Sequence, residues 1–138
     1  IPIAGKTLRR REHFSNREEA RSYFSKKRLF QPFHPTCFED YIQYGLTERK
    51  DENDVTLLIP AKIEAAYFMN TPGIGKTTSF PFPTYVLHSN SEEVLRMKDI
   101  RWLKKRLPQT EFIPVTGGHM FPLEFPKETA DVIRQFLI

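Results

Sequence analysis

An α/β fold is predicted for this chain, on three observations. From Thr84 onward two short apolar runs alternate with two amphipathic helical patterns, which is the grammar of a sheet layered with helices. Before them, residues up to about Met69 read as helices with little sheet. Between the two parts lies a Gly- and Pro-rich stretch, Asn70 to Pro83, in which neither period holds. Two strands cannot close such a sheet, so the sheet is expected to be incomplete in this chain.

Taken in order, Ser15-Asn16-Arg17-Glu18 reads as a capping box, with the Ser15 hydroxyl accepting from the Glu18 N–H and the Glu18 carboxylate reaching back. It predicts a helix to about Lys27. Phe33-His34-Pro35 stops and restarts the chain, and Phe38, Tyr41 and Ile42 predict a second short helix closed by Gly45. Glu48 to Asp54 is charged and predicts a loop. Val55 to Ile59 is a short strand candidate, and Pro60 opens a third helix to about Met69. Thr84 to His88 is nearly continuously apolar and suits a buried parallel strand, with Ser89 to Glu93 as its C-terminal loop. Met97, Ile100, Leu103 and Leu107 predict a helix from about Val94 to Leu107, ended by Pro108. Phe112 to Val115 is the second strand, running into Gly117-Gly118-His119. The final helix, Pro126 to about Leu137, is expected to bury Ala130, Ile133, Phe136 and Leu137.

With 138 residues, 39% hydrophobic and 28% charged, the chain suits a globular protein and argues against disorder. No apolar run approaches the ~20 residues that cross a bilayer, and no apolar segment of signal-peptide length opens the sequence. An intracellular protein, cytoplasmic or peroxisomal, is expected, with homo-oligomerisation left open. The single cysteine, Cys37, suits a small buried apolar role. Net charge is +4, with positives at Arg9 to Arg11 and from Arg96 to Arg106. Because Ile100 and Leu103 leave the basic residues on the outer face, that stripe reads as solvated rather than as a nucleic-acid surface. His13, His34, His88 and His119 lack metal-ligand spacing, so neither metal nor cofactor is expected.

Two stretches bear on chemistry. Asn70 to Thr78, "NTPGIGKTT", approaches the phosphate-binding pattern G-x-x-x-x-G-K-[ST] at Gly75, Lys76 and Thr77, which opens a nucleotide-binding reading. Asn70 replaces the first glycine, and Pro81 and Pro83 preclude the helix such a loop needs, so a plain connection is expected. Ser89 to Glu93 and Gly117 to Met120 both follow predicted parallel strands, where open α/β sheets place their ligands. An acid in one loop and a histidine in the next suit a hydrolytic triad, in which the imidazole takes a proton from a nucleophile. Equally open is a plain hydrogen-bonded loop histidine on a Gly-Gly turn.

"GGHMFPLEFPKETADVIRQFL" resembles the end of an α/β-hydrolase, where the catalytic histidine precedes a P-x-E-x-P-type segment and the last helix. "PTYVLHSNSEEV" is similar to the preceding strand and acid loop. "TLRRREHFSNREEARSYFSKKRLFQPFHPTCFEDYIQYGL" with "VTLLIPAKIEAAYF" resembles the helical lid of fungal hydrolases related to toxin and secondary-metabolite enzymes. The resemblance implies residues 1–80 as lid and return joint and 81–138 as the C-terminal part of the core. It implies a serine hydrolase of ester, thioester or related acyl bonds, with His119 and Glu92 as catalytic residues, Glu93 or an upstream carboxylate being the alternative acid. Ser89 and Glu92 stand where the family usually has glycine and aspartate. Phe30, Phe33, Phe38, Tyr41, Tyr67, Phe68 and Met120 become candidates for binding a small-molecule acyl substrate. No G-x-S-x-G occurs here. The nucleophile and first strands are therefore expected in a missing N-terminal part of the core, this chain alone being inactive. A hydrolase-fold protein that binds without catalysis is the competing reading.

Overall fold

The computed structural model describes residues 2–49, 54–71, 79–91 and 94–137. Residues 72–78 of the joint expected at Asn70 to Thr78, and the candidate acids Glu92 and Glu93, lie outside them. The chain divides into two compact units, one of Ile1–Gln31 with Pro35–Gly73, the other of Pro32–His34 with Ile74–Ile138.

The first unit contains α1 (Pro2–Thr7), β1 (His13–Phe14), α2 (Arg17–Ser25), α3 (Pro35–Tyr44), β2 (Leu46–Glu48), β3 (Val55–Leu57) and α4 (Ala61–Asn70). The strands form an antiparallel sheet in the order β1-β3-β2, with Phe14 opposite Val55 and Leu46 opposite Leu57. Phe14, Leu46, Val55 and Leu57 project from it onto Ala20 and Phe24 of α2 and Ile42 of α3, forming a core edged by Tyr23, Phe30, Phe38 and Tyr41. Burial of these aromatics at tilted and edge-on angles, such as Phe14 on Phe24 at 5.4 Å, stabilises the unit.

Local signals differ from expectation by a residue or two. The cap of α2 is Asn16, whose extended backbone lets its side chain accept from the Glu19 N–H at 2.9 Å. Glu19, not Glu18, reaches back, and it accepts from the Ser15 N–H and hydroxyl. The shifted start is the one that turns Ala20 and Phe24 into the core. Pro60 precedes α4 as its cap, and the Glu12 carboxylate accepts from the first helical N–H, of Ala61, at 2.5 Å. The strand at Val55 ends at Leu57, and α1, β1 and β2 are additions. All three are too short to declare a period.

The second unit contains β4 (Thr84–Ser89), α5 (Met97–Arg106), β5 (Thr110–Val115), α6 (Phe121–Glu124) and α7 (Pro126–Arg134). The two strands pair in parallel, from Thr84 opposite Thr110 to Ser89 opposite Val115. Residues 79–83 are irregular. No helix therefore follows Thr78 directly, as a phosphate-binding loop requires. Ile100, Leu103 and Leu107 are buried, whereas Met97 is exposed because α5 begins there, with Asp99 accepting from the Arg96 N–H. Three further expectations are corrected. The strands are largely half-buried rather than buried, since β4 and β5 form a sheet of two strands among the described residues. Of the residues that the last helix is expected to bury, Ala130 and Phe136 are half-buried and Ile133 and Leu137 are exposed; α7 stops at Arg134, so Leu137 lies beyond the helix, and Phe136 stacks on Tyr85 at 4.4 Å. Cys37 is half-buried rather than buried.

Candidate active site

Parallel pairing brings the C-terminal ends of β4 and β5 side by side, and the Asn90 N–H extends the ladder to the Val115 carbonyl at 3.2 Å. The chain then leaves β5 through Gly117, Gly118 and His119 before α6. Gly117 has φ +123°, a region that L side chains rarely adopt. A Cβ on Gly117 would stand 3.0 Å from Phe121 and Phe125, and one on Gly118 would stand 2.7 Å from a Glu124 carboxylate oxygen. The first glycine is required by backbone conformation, and the second lets the Glu124 carboxylate approach closely.

This turn is held by side chains. Ser89, the last residue of β4, donates from its hydroxyl to the Gly117 carbonyl at 2.5 Å, and the same oxygen accepts from the Ser91 N–H at 2.9 Å. The Gly118 N–H donates to Glu124 Oε2 at 2.7 Å, and Glu124 is only 9% exposed. A buried carboxylate is tolerated when a donor meets it, and a charge-assisted bond of this length is among the stronger kind. The Leu123 carbonyl accepts from the His34 N–H at 2.8 Å, which explains why residues 32–34, with buried Phe33, belong to this unit.

His119 is exposed and lines a cleft of about 140 Å³ with Leu87, His88, Ser89, Ser91, Val94 and Phe121. Ser91 and Val94 flank the two candidate acids in sequence. His88 is buried, and its Nδ1 lies 3.1 Å from the Ser89 carbonyl, which can only accept, so that nitrogen carries the proton. Met120 caps α6. Among the described residues no group of three or more His, Cys, Asp or Glu could hold a metal ion.

The aromatic candidates separate. Phe30, Phe38 and Tyr41 pack together in the first unit, Phe30 on Tyr41 at 4.7 Å and on Phe38 at 6.0 Å. Tyr41 also lines a cleft of about 270 Å³ there with Tyr67, Leu57, Leu58 and Ile59. Its lining includes an ion pair, Arg10 to Glu64 at 2.5 Å, and burial pushes the Tyr41 hydroxyl above its ordinary pKa. Phe68 is half-buried, and Phe33 belongs to the other unit. Arg10 and Arg11 of the basic triplet are committed within the first unit, Arg11 pairing with Glu19 at 2.6 Å over the Phe14 ring. Glu124 is the acid of the P-x-E-x-P-type segment, Pro122 to Pro126, to which the sequence reading assigns no role.

No protein-family model and no curated protein matches the chain. Solved structures do. The peroxisomal alpha-beta-hydrolase Lpx1 (Yor084w) from Saccharomyces cerevisiae superposes with TM-score 0.77 at 17% identity, over 99% of this chain and 38% of that one. E-2-(acetamidomethylene)succinate hydrolase gives 0.73 at 12%, over 90% and 46%, and the thioesterase domain from the curacin biosynthetic pathway 0.68 at 16%, over 90% and 44%. The chain thus spans less than half the length of these structures and shares the α/β-hydrolase fold with them over that span.

Proposed function

We propose that the whole protein is a serine hydrolase of an ester, thioester or related acyl bond, and that this chain is the lid and C-terminal part of its core. The observation that carries the reading is His119 on a Gly-Gly turn at the C-terminal edge of two parallel strands, in a fold shared with hydrolases. His119 acts as general base, taking the proton of a serine supplied by the remainder of the core, and returns it to the leaving group. Glu92, or Glu93 or an upstream carboxylate, orients the imidazole. Residues 1–80 form the lid and return joint, and Tyr41 and Tyr67 offer an apolar wall to the acyl group. The protein works inside the cell, in the cytosol or in the peroxisome named for yeast Lpx1.

A fluorophosphonate probe applied to the whole protein tests this. Labelling of one serine, with turnover lost in His119→Ala by about 10³-fold or more, is the expected result. Absence of labelling together with full turnover in His119→Ala would remove the enzyme reading and leave a binding protein.

A further inference from the structure

The Ser89 and Glu124 contacts meet on one peptide group. The carbonyl that Ser89 reaches belongs to Gly117, the N–H that Glu124 holds belongs to Gly118, and the two are the opposite poles of a single planar unit. A peptide between two glycines is the one most free to rotate about its flanking bonds, because no Cβ on either side restricts it. The same rotation would swing the backbone that carries His119. We propose that Ser89 and Glu124 are positioning residues that pin the Gly117–Gly118 peptide at both poles and thereby hold the His119 ring in one place over its cleft.

Three details support a pin rather than incidental packing. Glu124 is buried, so its carboxylate has little water to turn to if the Gly118 N–H leaves. The space that a Cβ on Gly118 would need is occupied by that carboxylate, so glycine there permits the close approach. Ser89 already has its hydroxyl oriented by the Ser91 N–H, which leaves its proton aimed at the Gly117 carbonyl. A serine at the end of β4 thus serves the turn, not attack on a substrate. The inference needs the hydrolase reading only for its kinetic consequence.

The test uses the whole protein with Glu124→Ala, Glu124→Gln and Ser89→Ala. Proton–carbon spectra of the His119 ring and exchange of the Gly118 amide report on the pin without any activity. Wild type is expected to give one sharp His119 ring signal and a protected Gly118 amide. Glu124→Ala should broaden or split that signal and expose the amide, with His13 unchanged as control, and Glu124→Gln, which keeps an acceptor oxygen, should restore both. Ser89→Ala should perturb the ring in the same direction and covers the case in which Glu124→Ala does not fold. If turnover is found, kcat should fall by about 100-fold in Glu124→Ala with KM held, as expected for a displaced catalytic group. A sharp, unshifted His119 ring in folded Glu124→Ala and in Ser89→Ala would overturn the pin. Full turnover in His119→Ala would overturn the hydrolase reading alone.

Discussion

Glu19 holds more of the first unit's surface in register than its half-buried position suggests. Its carboxylate accepts from the Ser15 N–H at 2.7 Å, the Ser15 hydroxyl at 2.9 Å and the Arg11 guanidinium at 2.6 Å. The Ser15 N–H bond first, then the Arg11 and Ser15 side chains, lower its pKa from the usual 4.5 to about 2. A carboxyl depressed by folding adds stability that is fully present above the unfolded pKa and is lost as pH falls through the folded one. Glu19→Gln should therefore melt below wild type at neutral pH, and the gap should close between 4.5 and about 2. Melting curves taken down that range check it; a gap independent of pH would show that packing, not charge, distinguishes the two proteins.

At the scale of elements, the junction of α3 and β2 is closed tightly by a glycine. The Gly45 N–H bonds back to the Tyr41 carbonyl at 2.8 Å and the chain turns at once into Leu46, which is buried opposite Leu57. A Cβ on Gly45 would meet that carbonyl oxygen at 2.6 Å, and helix backbone cannot give way as a flexible side chain would. Gly45→Ala should cost about 1–3 kcal/mol, the range for overpacking a well-packed site. Denaturant melts should show a lower midpoint at unchanged slope, and an unchanged midpoint would mean that the junction opens freely. The α5 helix ends with Lys104, Lys105 and Arg106 in its last turn, where cations suit the helix dipole, with the Arg106 guanidinium over the half-exposed Trp102 ring. Its basic face thus has a local structural role.

At the scale of the whole molecule, the second unit leaves much apolar surface in the open. Parallel sheets are ordinarily covered on both faces, and fewer than three strands rarely stand by themselves. Here two strands carry Tyr85 at 38% exposure beside an apolar groove of about 620 Å³ lined by Leu87, Phe121, Ile133 and Phe136. If further core strands cover this surface in the whole protein, the 138-residue chain alone should bind an apolar dye and self-associate. Light scattering should give a mass above 16.3 kDa. A monodisperse monomer without dye binding would count against the proposed place of this chain in a larger core.

The helices from Pro35 and Ala61, the strands at Val55 and Thr84 and the basic helix before Pro108 were legible in sequence because each is long enough, or bounded sharply enough by Gly and Pro, to declare its period. The Gly-Gly-His turn was legible too, since a glycine at φ +123° has no substitute of ordinary kind. Tertiary structure alone decided the rest. It moved the α2 cap to Asn16, because the core, not the capping pattern, selects which residues face Phe14. It made a two-residue strand of His13–Phe14, which exists only by pairing with Val55 and Thr56. It also set Ser89 and Glu124 on the two poles of one peptide, 28 and 6 residues from their partners. Local propensity acts over a few neighbouring residues, whereas burial and pairing act between segments that meet only when the chain has folded.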